Sequence, residues 1–587
     1  MSQLFAPQPS VAFTPAAEAS TGTVVVDSTQ QYQTVDGFGA AFTDSAAYLL
    51  NEVAQKDQLA AVMKDLFTRE GNGIGLSFMR NPVGSSDLAR SLYTFDDMPL
   101  GQSDPTLQNF SIAHDEVDIV PIIRQAIALN PQMKLVATPW SPPGWMKFPP
   151  LISGGWLTAT WDNETSFANY LVKYLKAYEA DGIHFDYITI QNEPRYPIPT
   201  YPSMRMNRQE QLEVLQNHVL PAFAANNITT KVLVYDHGWS VPSYPQFVLS
   251  GLSAEQLKQV AGTAWHGYDG TPGAQQNMQN QFPALGNWMT ELSGGTWVND
   301  QFSSDFLGIT QVLRNSAKAY VKWSLALDEQ HGPNIAKVTG LPGGCDTCNP
   351  IVTVNSQTGN VTKDVEYYTL GQYSKFVLPG AVRIYSSNTP AIASVAFANP
   401  DGSTALIAYN SSASSAAFQV QWGGSSFSYT LPALAAATFT WSGAQSGTAN
   451  IAATSQIQGS SFSMENNLQT ETTADSTGQY DLGYIAPGAL ALYRNIDFGA
   501  GVCGVSVREA SGGAGGNATF YLDASSGSPI ATVALPATGG WQTWKTVSAP
   551  AGGASGVHNL YVVFSGGGIL QSIANVNWFQ FQSCPGM

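Results

Sequence analysis

Two glutamates in this 587-residue chain stand where a carboxylate can do chemistry. Glu193 closes the stretch Tyr187-Ile-Thr-Ile-Gln-Asn-Glu-Pro-Arg195. Its alternating, partly β-branched start reads as a buried strand, and Pro194 cannot continue the sheet. Glu291 closes a second apolar run, Trp288-Met-Thr-Glu291. One strand-end Glu is readily explained by pairing with a nearby Arg; a second one changes the question. At roughly 31 residues per strand–helix unit in a ~250-residue barrel, about three units separate them, which assigns them to strands four and seven. Carboxylates from those ends converge across the mouth. A pair about 5–5.5 Å apart would hydrolyse a glycosidic bond with retention, through a covalent glycosyl–enzyme.

The neighbours divide the roles. Asn192 could hydrogen-bond a sugar 2-hydroxyl, an interaction that strengthens in the transition state. Glu291 is followed by Leu292-Ser-Gly-Gly, small residues that let a ring approach. Glu193 is therefore assigned as acid/base and Glu291 as nucleophile. His266 and Tyr268, one strand earlier, could hold Glu291 ionised by hydrogen bonding, although a lone His is as often a satisfied core residue. Trp140, Trp145, Trp156, Trp161, Trp239 and Trp323 supply aromatic surface. Any one of them is more often core than ligand-binding, but Trp140 and Trp323 stand at strand ends.

The elements that must position these groups follow a strand-then-helix rhythm. Eight candidate strands are Val35–Gly39, Ile74–Met79, Lys134–Thr138, Tyr187–Gln191, Lys231–Tyr235, Gly262–Trp265, Trp288–Thr290 and Tyr320–Leu325. Amphipathic patterns at Ala46–Phe67, Val117–Leu129, Ser166–Ala180, Gln209–Ala225 and Phe306–Ala319 lie between them. Such alternation implies a parallel sheet closed as a (β/α)8 barrel, with chemistry at the C-terminal strand ends. Those ends carry Arg80-Asn81 with Asp87, Trp140, Asn192-Glu193, Asp236-His237, His266 with Tyr268, Glu291 and Trp323.

After about Gly380 the pattern changes to short alternating strands, Ala391–Ala398, Ala405–Tyr409, Ala417–Trp422 and Ala437–Trp441, which suggest a β-sandwich. The strand Thr23–Asp27 precedes the barrel and is expected to join that sandwich. Ser442–Ser455 is rich in Gly, Ser and Ala and reads as a linker. A second all-β region follows, with strands near Ala491–Phe498, Val505–Glu509, Thr519–Leu522 and Asn559–Phe564. The expected division is 1–34, an N-terminal segment; 35–380, the barrel; 381–443, the side sandwich; 444–455, the linker; and 456–587, the last β domain.

Composition narrows the partners. Charged residues make up 11%, against roughly a quarter in ordinary domains, while Trp reaches 14. A net charge of −17 without a basic cluster argues against nucleic acid and anionic lipid. An acidic, Trp-rich surface suits neutral sugars. No apolar run approaches the ~20 residues of a membrane helix. Met1–Ser20 holds no apolar stretch of signal-peptide length, so the chain is either cytoplasmic or secreted with its signal removed. The four cysteines, Cys345, Cys348, Cys503 and Cys584, favour two disulfides and the secreted reading. A Cys503–Cys584 cross-link closing about 80 residues would contribute roughly 4 kcal/mol in loop-entropy terms. Zinc is disfavoured, since no His accompanies either pair at ligand spacing.

Taken together, the motifs resemble glycoside hydrolase family 30, the family of glucosylceramidase, from Val35 to about Ile384. They are Asp36-Gly-Phe-Gly-Ala-Ala-Phe-Thr-Asp44, Ala137-Thr-Pro-Trp-Ser-Pro-Pro-Gly-Trp145, Asn192-Glu-Pro194, Trp265-His266, Thr290-Glu291, Trp323-Ser-Leu-Ala-Leu-Asp328, Gly332-Pro-Asn334, Tyr373-Ser-Lys-Phe376 and Pro379-Gly380. The resemblance implies a TIM barrel with a side β-sandwich, Glu193 as acid/base and Glu291 as nucleophile. It implies that Asp87, Trp140, Asn192, His266 and Trp323 line the glycone subsite, with Asn334 nearby. Asp87 looks like the carboxylate that binds the 4- and 6-hydroxyls of a glucosyl unit. The inserted Gly343-Gly-Cys-Asp-Thr-Cys-Asn349 loop looks like the β-1,6-glucanase branch of the family.

The last region resembles carbohydrate-binding module family 6, a β-sandwich of jelly-roll type. The carriers are Arg494-Asn-Ile-Asp-Phe-Gly499, Val507-Arg-Glu-Ala-Ser511, Gly539-Gly-Trp-Gln-Thr-Trp544 and Asn575-Val-Asn-Trp-Phe-Gln-Phe581. By that resemblance Tyr484 and Trp541 sandwich a sugar ring, Asn575 adds a hydrogen bond, and Trp544 is core. A structural calcium would fall on Gln458, Ser460 and Asn577, all uncharged and poor calcium ligands. The expected protein is a secreted, monomeric, retaining hydrolase of β-1,6-glucan that needs no cofactor for catalysis. A β-glucosidase, glucosylceramidase-like or β-xylanase activity is the alternative within enzymes; a non-catalytic carbohydrate-binding protein is the alternative outside them.

Overall fold

The computed structural model of the chain describes residues 4–16, 19–568 and 572–584. Eight parallel strands form one sheet: Gly37–Ala40, Phe78–Val83, Lys134–Pro139, Tyr187–Thr189, Lys231–Gly238, Val260–His266, Gly286–Leu292 and Ala317–Lys322, here barrel strands one to eight. They neighbour one another in sequence order. Closure between strands one and two is made by the Ala41–Arg80 bridge and by Ser77 N–H donating to Phe38 O at 2.8 Å. A side chain at Gly39 would collide with the Phe78 carbonyl, so this seam requires glycine. The expected barrel is present.

Several expected elements move. Strand two begins at Phe78 rather than Ile74, because Ile74 and Leu76 are spent as an extended lead-in bonded to the carbonyls of Asp65 and Leu66. The shift brings Arg80 and Asn81 inside the strand. The single helix expected over Ala46–Phe67 is broken into Asp44–Tyr48, a π turn at Leu49–Val53, and Lys56–Phe67. Between them Gln55 is tied across to the loop carrying Thr358 and Gly359. The helix between strands seven and eight runs Gln301–Arg314, capped by Asp300, and stops early because Ala317 already starts strand eight.

The strand Thr23–Thr34 does join the sandwich, pairing with Val382–Ser386 and Ala416–Trp422. Val382–Ser386 and Ser425–Leu431 are strands the sequence pattern did not reveal. The two ends of this eight-stranded sheet fold onto each other, with Phe427 of one end 5.2 Å from Phe439 of the other. The C-terminal domain is two facing sheets around Tyr493, Phe520, Phe579 and Phe581. Cys503 and Cys584 are joined, as are Cys345 and Cys348. Trp544 is half-buried with its Nε1–H on Gln542 Oε1, so it is surface rather than core.

The domains are packed together rather than loosely strung. Arg314, at the end of the helix before strand eight, donates to Ser386 O (2.7 Å) and Ser394 O (3.0 Å) of the sandwich and to Ser460 O (2.8 Å) of the last domain. Tyr480 OH reaches Leu307 O at 2.8 Å, and Tyr385 OH reaches Ser461 O at 2.8 Å. Residues 444–455 are pinned too: Gln445 bonds Ser28 and Asp27, and Ile451–Ala452 pairs with Ile496–Asp497.

Candidate active site

Arg80 is the hub of the barrel mouth. An arginine in the fully buried Phe78–Val83 strand, with no exposed surface, has to be paired. Nη1 donates to Glu291 Oε2. Nη2 donates to Asn192 Oδ1 at 2.7 Å and to Asp236 Oδ2 at 3.0 Å, and Nε to Thr138 Oγ1 at 3.3 Å. The guanidinium lies 4.7 Å from the Trp140 ring, and Trp140 stacks on Trp323 at 5.1 Å. Strands two, three, four, five, seven and eight thus meet around one cation.

Asp236 arrives by a bulge. Strand six pairs Ala264 with Tyr235 but Trp265 with His237, and Tyr235 and Asp236 have φ of 78° and 63°. The extra residue turns its carboxylate inward, where Thr290 Oγ1 (2.6 Å) and Thr189 Oγ1 (2.8 Å) donate to it. Glu193 also has a positive φ, 44°, and its N–H donates to Asp236 O at 3.0 Å. Such conformations cost on the order of 1 kcal/mol or more each, and here the surrounding bonds impose them.

His266 spans the cluster. Its Nε2 lies 3.1 Å from Asp236 Oδ1, and its Nδ1 lies 3.1 Å from Glu193 Oε1 and 3.8 Å from Glu291 Oε1. The hydrogen bond expected from His266 goes to Glu193 instead, because Asp236 fixes the ring, while Glu291 stays within ion-pair distance. Glu291 is served by Tyr268, whose OH donates to Oε1 at 3.0 Å, and by Arg80. Burial opposes a charge on His266, but Glu291, Asp236 and Glu193 outweigh it and push the imidazole up to about 10. Burial likewise opposes charge on Glu193, yet the bond to His266 and its charge hold that carboxyl below its ordinary value.

One ligand atom each from Glu193, His266 and Glu291 lie within 4.8 Å of one another. Both ring nitrogens of His266 are already turned to carboxylates, Nε2 to Asp236 and Nδ1 to Glu193. The trio is therefore a carboxylate pair bracketing an imidazolium.

Asp87 stands across the mouth, 7% exposed, and accepts the N–H of Cys345 at 2.8 Å. Burial and the charge of Glu291 push its carboxyl up to about 7. Asn334 stands beside Asp87, since the Ile335 N–H donates to Asp87 O at 2.8 Å, but its own amide is turned to the loop. Its Oδ1 accepts the Lys337 N–H at 2.9 Å, capping the helix Ile335–Thr339, and its Nδ2 donates to His331 O at 3.1 Å. Both ends of the amide are committed to the loop. A cavity of about 500 Å³ at the opposite end of the barrel, lined by Tyr187, Trp288 and Lys318 among others, receives none of these carboxylates.

In the last domain Tyr484 (49% exposed) and Trp541 (39%) present their rings to solvent. The Trp541 indole lies across Gly512 and Gly513, where a Cβ would strike it. Asn575 Nδ2 donates to Trp541 O at 3.0 Å and to Glu471 Oε1 at 2.6 Å. The calcium set does not fit: Ser460 is engaged with Arg314 and Asn388, and Gln458 and Asn577 bring only neutral oxygens.

Arg80 and Asp236 were expected at the C-terminal strand ends but were given no role there, and Glu471 was not foreseen. A charge inside an apolar strand was the available signal for the first two.

A family model for the glycosyl hydrolase family 30 TIM-barrel domain matches residues 35–377, and one for that family's β-sandwich domain matches 380–439. A model for carbohydrate binding module family 6 matches 458–583. Endo-1,6-beta-D-glucanase neg1 of Aspergillus fumigatus is 34% identical over 422 residues, 67% of this chain and 82% of that protein. An endo-1,6-beta-D-glucanase of Trichoderma harzianum is 34% identical over 417 residues, 67% and 81% of the two chains. The solved structure of an endo-beta1,6-glucanase superposes with a TM-score of 0.67 at 29% identity, covering 74% of this chain and 96% of its own.

Proposed function

Because the chain belongs to glycosyl hydrolase family 30, we propose that it cleaves β-1,6-linked glucan by retaining double displacement, with Glu193 as acid/base and Glu291 as nucleophile. The observation that carries the mechanism is the carboxylate pair with oxygens within 4.8 Å. Inverting enzymes keep their pair roughly 6.5–9.5 Å apart to admit a water. The substrate is supported by the relatives at 34% identity, both named as endo-1,6-beta-D-glucanases.

Arg80 and Tyr268 hold both oxygens of Glu291 and orient it for attack on the anomeric carbon. Glu193 protonates the departing oxygen, then takes a proton from the water that opens the glycosyl ester. Asn192 gives its Oδ1 to Arg80, which leaves Nδ2 as a donor toward the sugar 2-hydroxyl. Trp140 and Trp323 form the stacking floor, and Asp87 accepts from glucosyl hydroxyls. None of these roles calls for a metal or organic cofactor. Tyr484 and Trp541 would grip the same polysaccharide at a second place, with Asn575 Oδ1 left to accept a sugar hydroxyl. A binding module is useful when the target is extended, which favours a polymer over a small glucoside. Two disulfides support a secreted protein.

The test is azide rescue of two variants on an activated aryl β-glucoside. Glu291→Gly should yield the α-glucosyl azide and Glu193→Ala the β-glucosyl azide, because azide replaces the nucleophile in the first and the water in the second. The reverse assignment would exchange the two products. Product analysis on linear β-1,6-glucan, laminarin and xylan tests the substrate, and turnover of xylan alone would sink the glucan reading. A non-catalytic protein would show no dependence of any property on Glu291→Gln.

A further inference from the structure

The loop after strand three carries an aromatic pair that none of the roles above uses. Residues Lys147–Phe148 and Trp156–Leu157 form a short hairpin in which Phe148 faces Trp156, their rings 5.3 Å apart. Both are exposed, Phe148 by 59% and Trp156 by 41%. The guanidinium of Arg205 sits 5.7 Å from the Trp156 ring. Single exposed apolar side chains need no explanation. Two rings held side by side on a fixed hairpin do.

The hairpin is anchored from beneath. Lys147 is buried, and its ammonium donates to Ser141 Oγ (2.8 Å), Ile152 O (2.7 Å) and Ser203 O (2.8 Å). The bond to Ser203 ties it to the loop that follows Glu193. Arg205 N–H donates to Gly155 O at 2.8 Å, and Met206 N–H donates to Pro194 O at 2.8 Å. Two hydrogen bonds, joined through Arg205–Met206, therefore link Pro194, the neighbour of Glu193, to the segment bearing Trp156. The rings extend the rim on which Glu193 stands. In a retaining hydrolase the proton donor lies beside the leaving oxygen, so the departing part of the chain leaves along this rim.

We propose that Trp156 and Phe148 form an outlying glucosyl-binding subsite on the leaving-group side of the cleft, stacking on the C–H face of a sugar unit beyond the scissile bond. Aromatic rings suit this task because they add contact area at little loss of side-chain freedom. Arg205 steadies the indole from one side and offers donors to the sugar rim. The subsite rests on the reading of Glu193 as proton donor.

The experiment measures kcat/KM for the full chain and for Trp156→Ala, Trp156→Phe and Phe148→Ala on β-1,6-gluco-oligosaccharides of increasing length. The advantage of long over short substrates should shrink by about tenfold in Trp156→Ala, the factor that 1.4 kcal/mol represents. Trp156→Phe should keep most of it. Equal losses at every length would reduce the hairpin to a structural support, and unchanged length dependence would overturn the subsite. If the wild-type chain cleaves a different linkage, the β-1,6 reading fails by itself, and the same length series in the cleaved linkage decides the subsite.

Discussion

The backbone N–H of Cys345 donates to Asp87 Oδ2 at 2.8 Å, across 258 residues of chain. The Cys345–Cys348 staple holds that amide in place, and the same short loop pairs Cys348 with Gly295, four residues past Glu291. A side chain at Gly344 would strike Asp87, so the loop lies directly against the carboxylate.

Replacing Cys345 and Cys348 together by Ser should loosen this contact. Asp87, already pushed up to about 7 by burial and by Glu291, loses a donor that favours its ionised form. Its ionisation then moves to higher pH. KM on gluco-oligosaccharides is expected to rise roughly tenfold near neutrality, the low end of the about 1.5–3 kcal/mol that a hydrogen bond to a charged group contributes, and the limb along which KM improves should shift upward. A KM–pH profile identical to wild type would refute the link.

Glu193 must be protonated to expel the leaving group, and His266 holds its carboxyl low. Its acid form is therefore depleted as pH rises, so kcat/KM should be highest on the acidic side of neutrality and fall with alkali. Removing the imidazolium with His266→Asn lets Glu193 keep its proton longer. That falling limb should move up by about one pH unit, equivalent to 1.36 kcal/mol. A downward shift would mean that another group sets the limb.

Arg80→Met leaves Asp236 and Glu291 facing one another without their shared cation. Stripping one partner from a buried pair destabilises by about 3–5 kcal/mol. The sign also depends on pH. Arg80 and His266 outweigh burial and hold Asp236 below its unfolded value, so the stability it contributes is present above that value and lost as pH falls. Denaturation midpoints of wild type and Arg80→Met should therefore differ widely at pH 7, and the gap should narrow as pH falls below the ordinary Asp range toward the depressed folded value.

Trp541→Ala should weaken retention on insoluble β-glucan by about tenfold while turnover of a small aryl glucoside changes little, because the indole lies in a separate domain. Affinity electrophoresis in glucan-containing gels, run beside the aryl assay, reads both.

Much of this was legible in the chain. Glu193 and Glu291 sit at strand ends whose apolar runs are plain, and the barrel count follows from strand–helix alternation. What stayed hidden depends on distant or backbone facts. No glycine marks the Tyr235–Asp236 bulge, so nothing local says that Asp236 turns inward. The break at Ala54–Gln55 has no proline or glycine and is set by a loop some 300 residues away. Asn334 sits in a motif of the family, yet its amide is used up in capping, which only the following helix start reveals. His266 has two carboxylates in reach, and the choice between them comes from a third.

Arg314 has a consequence of another kind. By clasping barrel, sandwich and sugar-binding domain at once, it denies the last domain the freedom of a buoy on a rope. On the proposed roles of Tyr484 and Trp541, a glucan strand gripped there would be held at a set offset from Glu193 and Glu291. The protein would then act as a ruler, offering to the catalytic pair only those linkages that lie one particular arc length along the polymer. Its cutting pattern on a long chain would be written in the rigidity of a joint that touches no sugar.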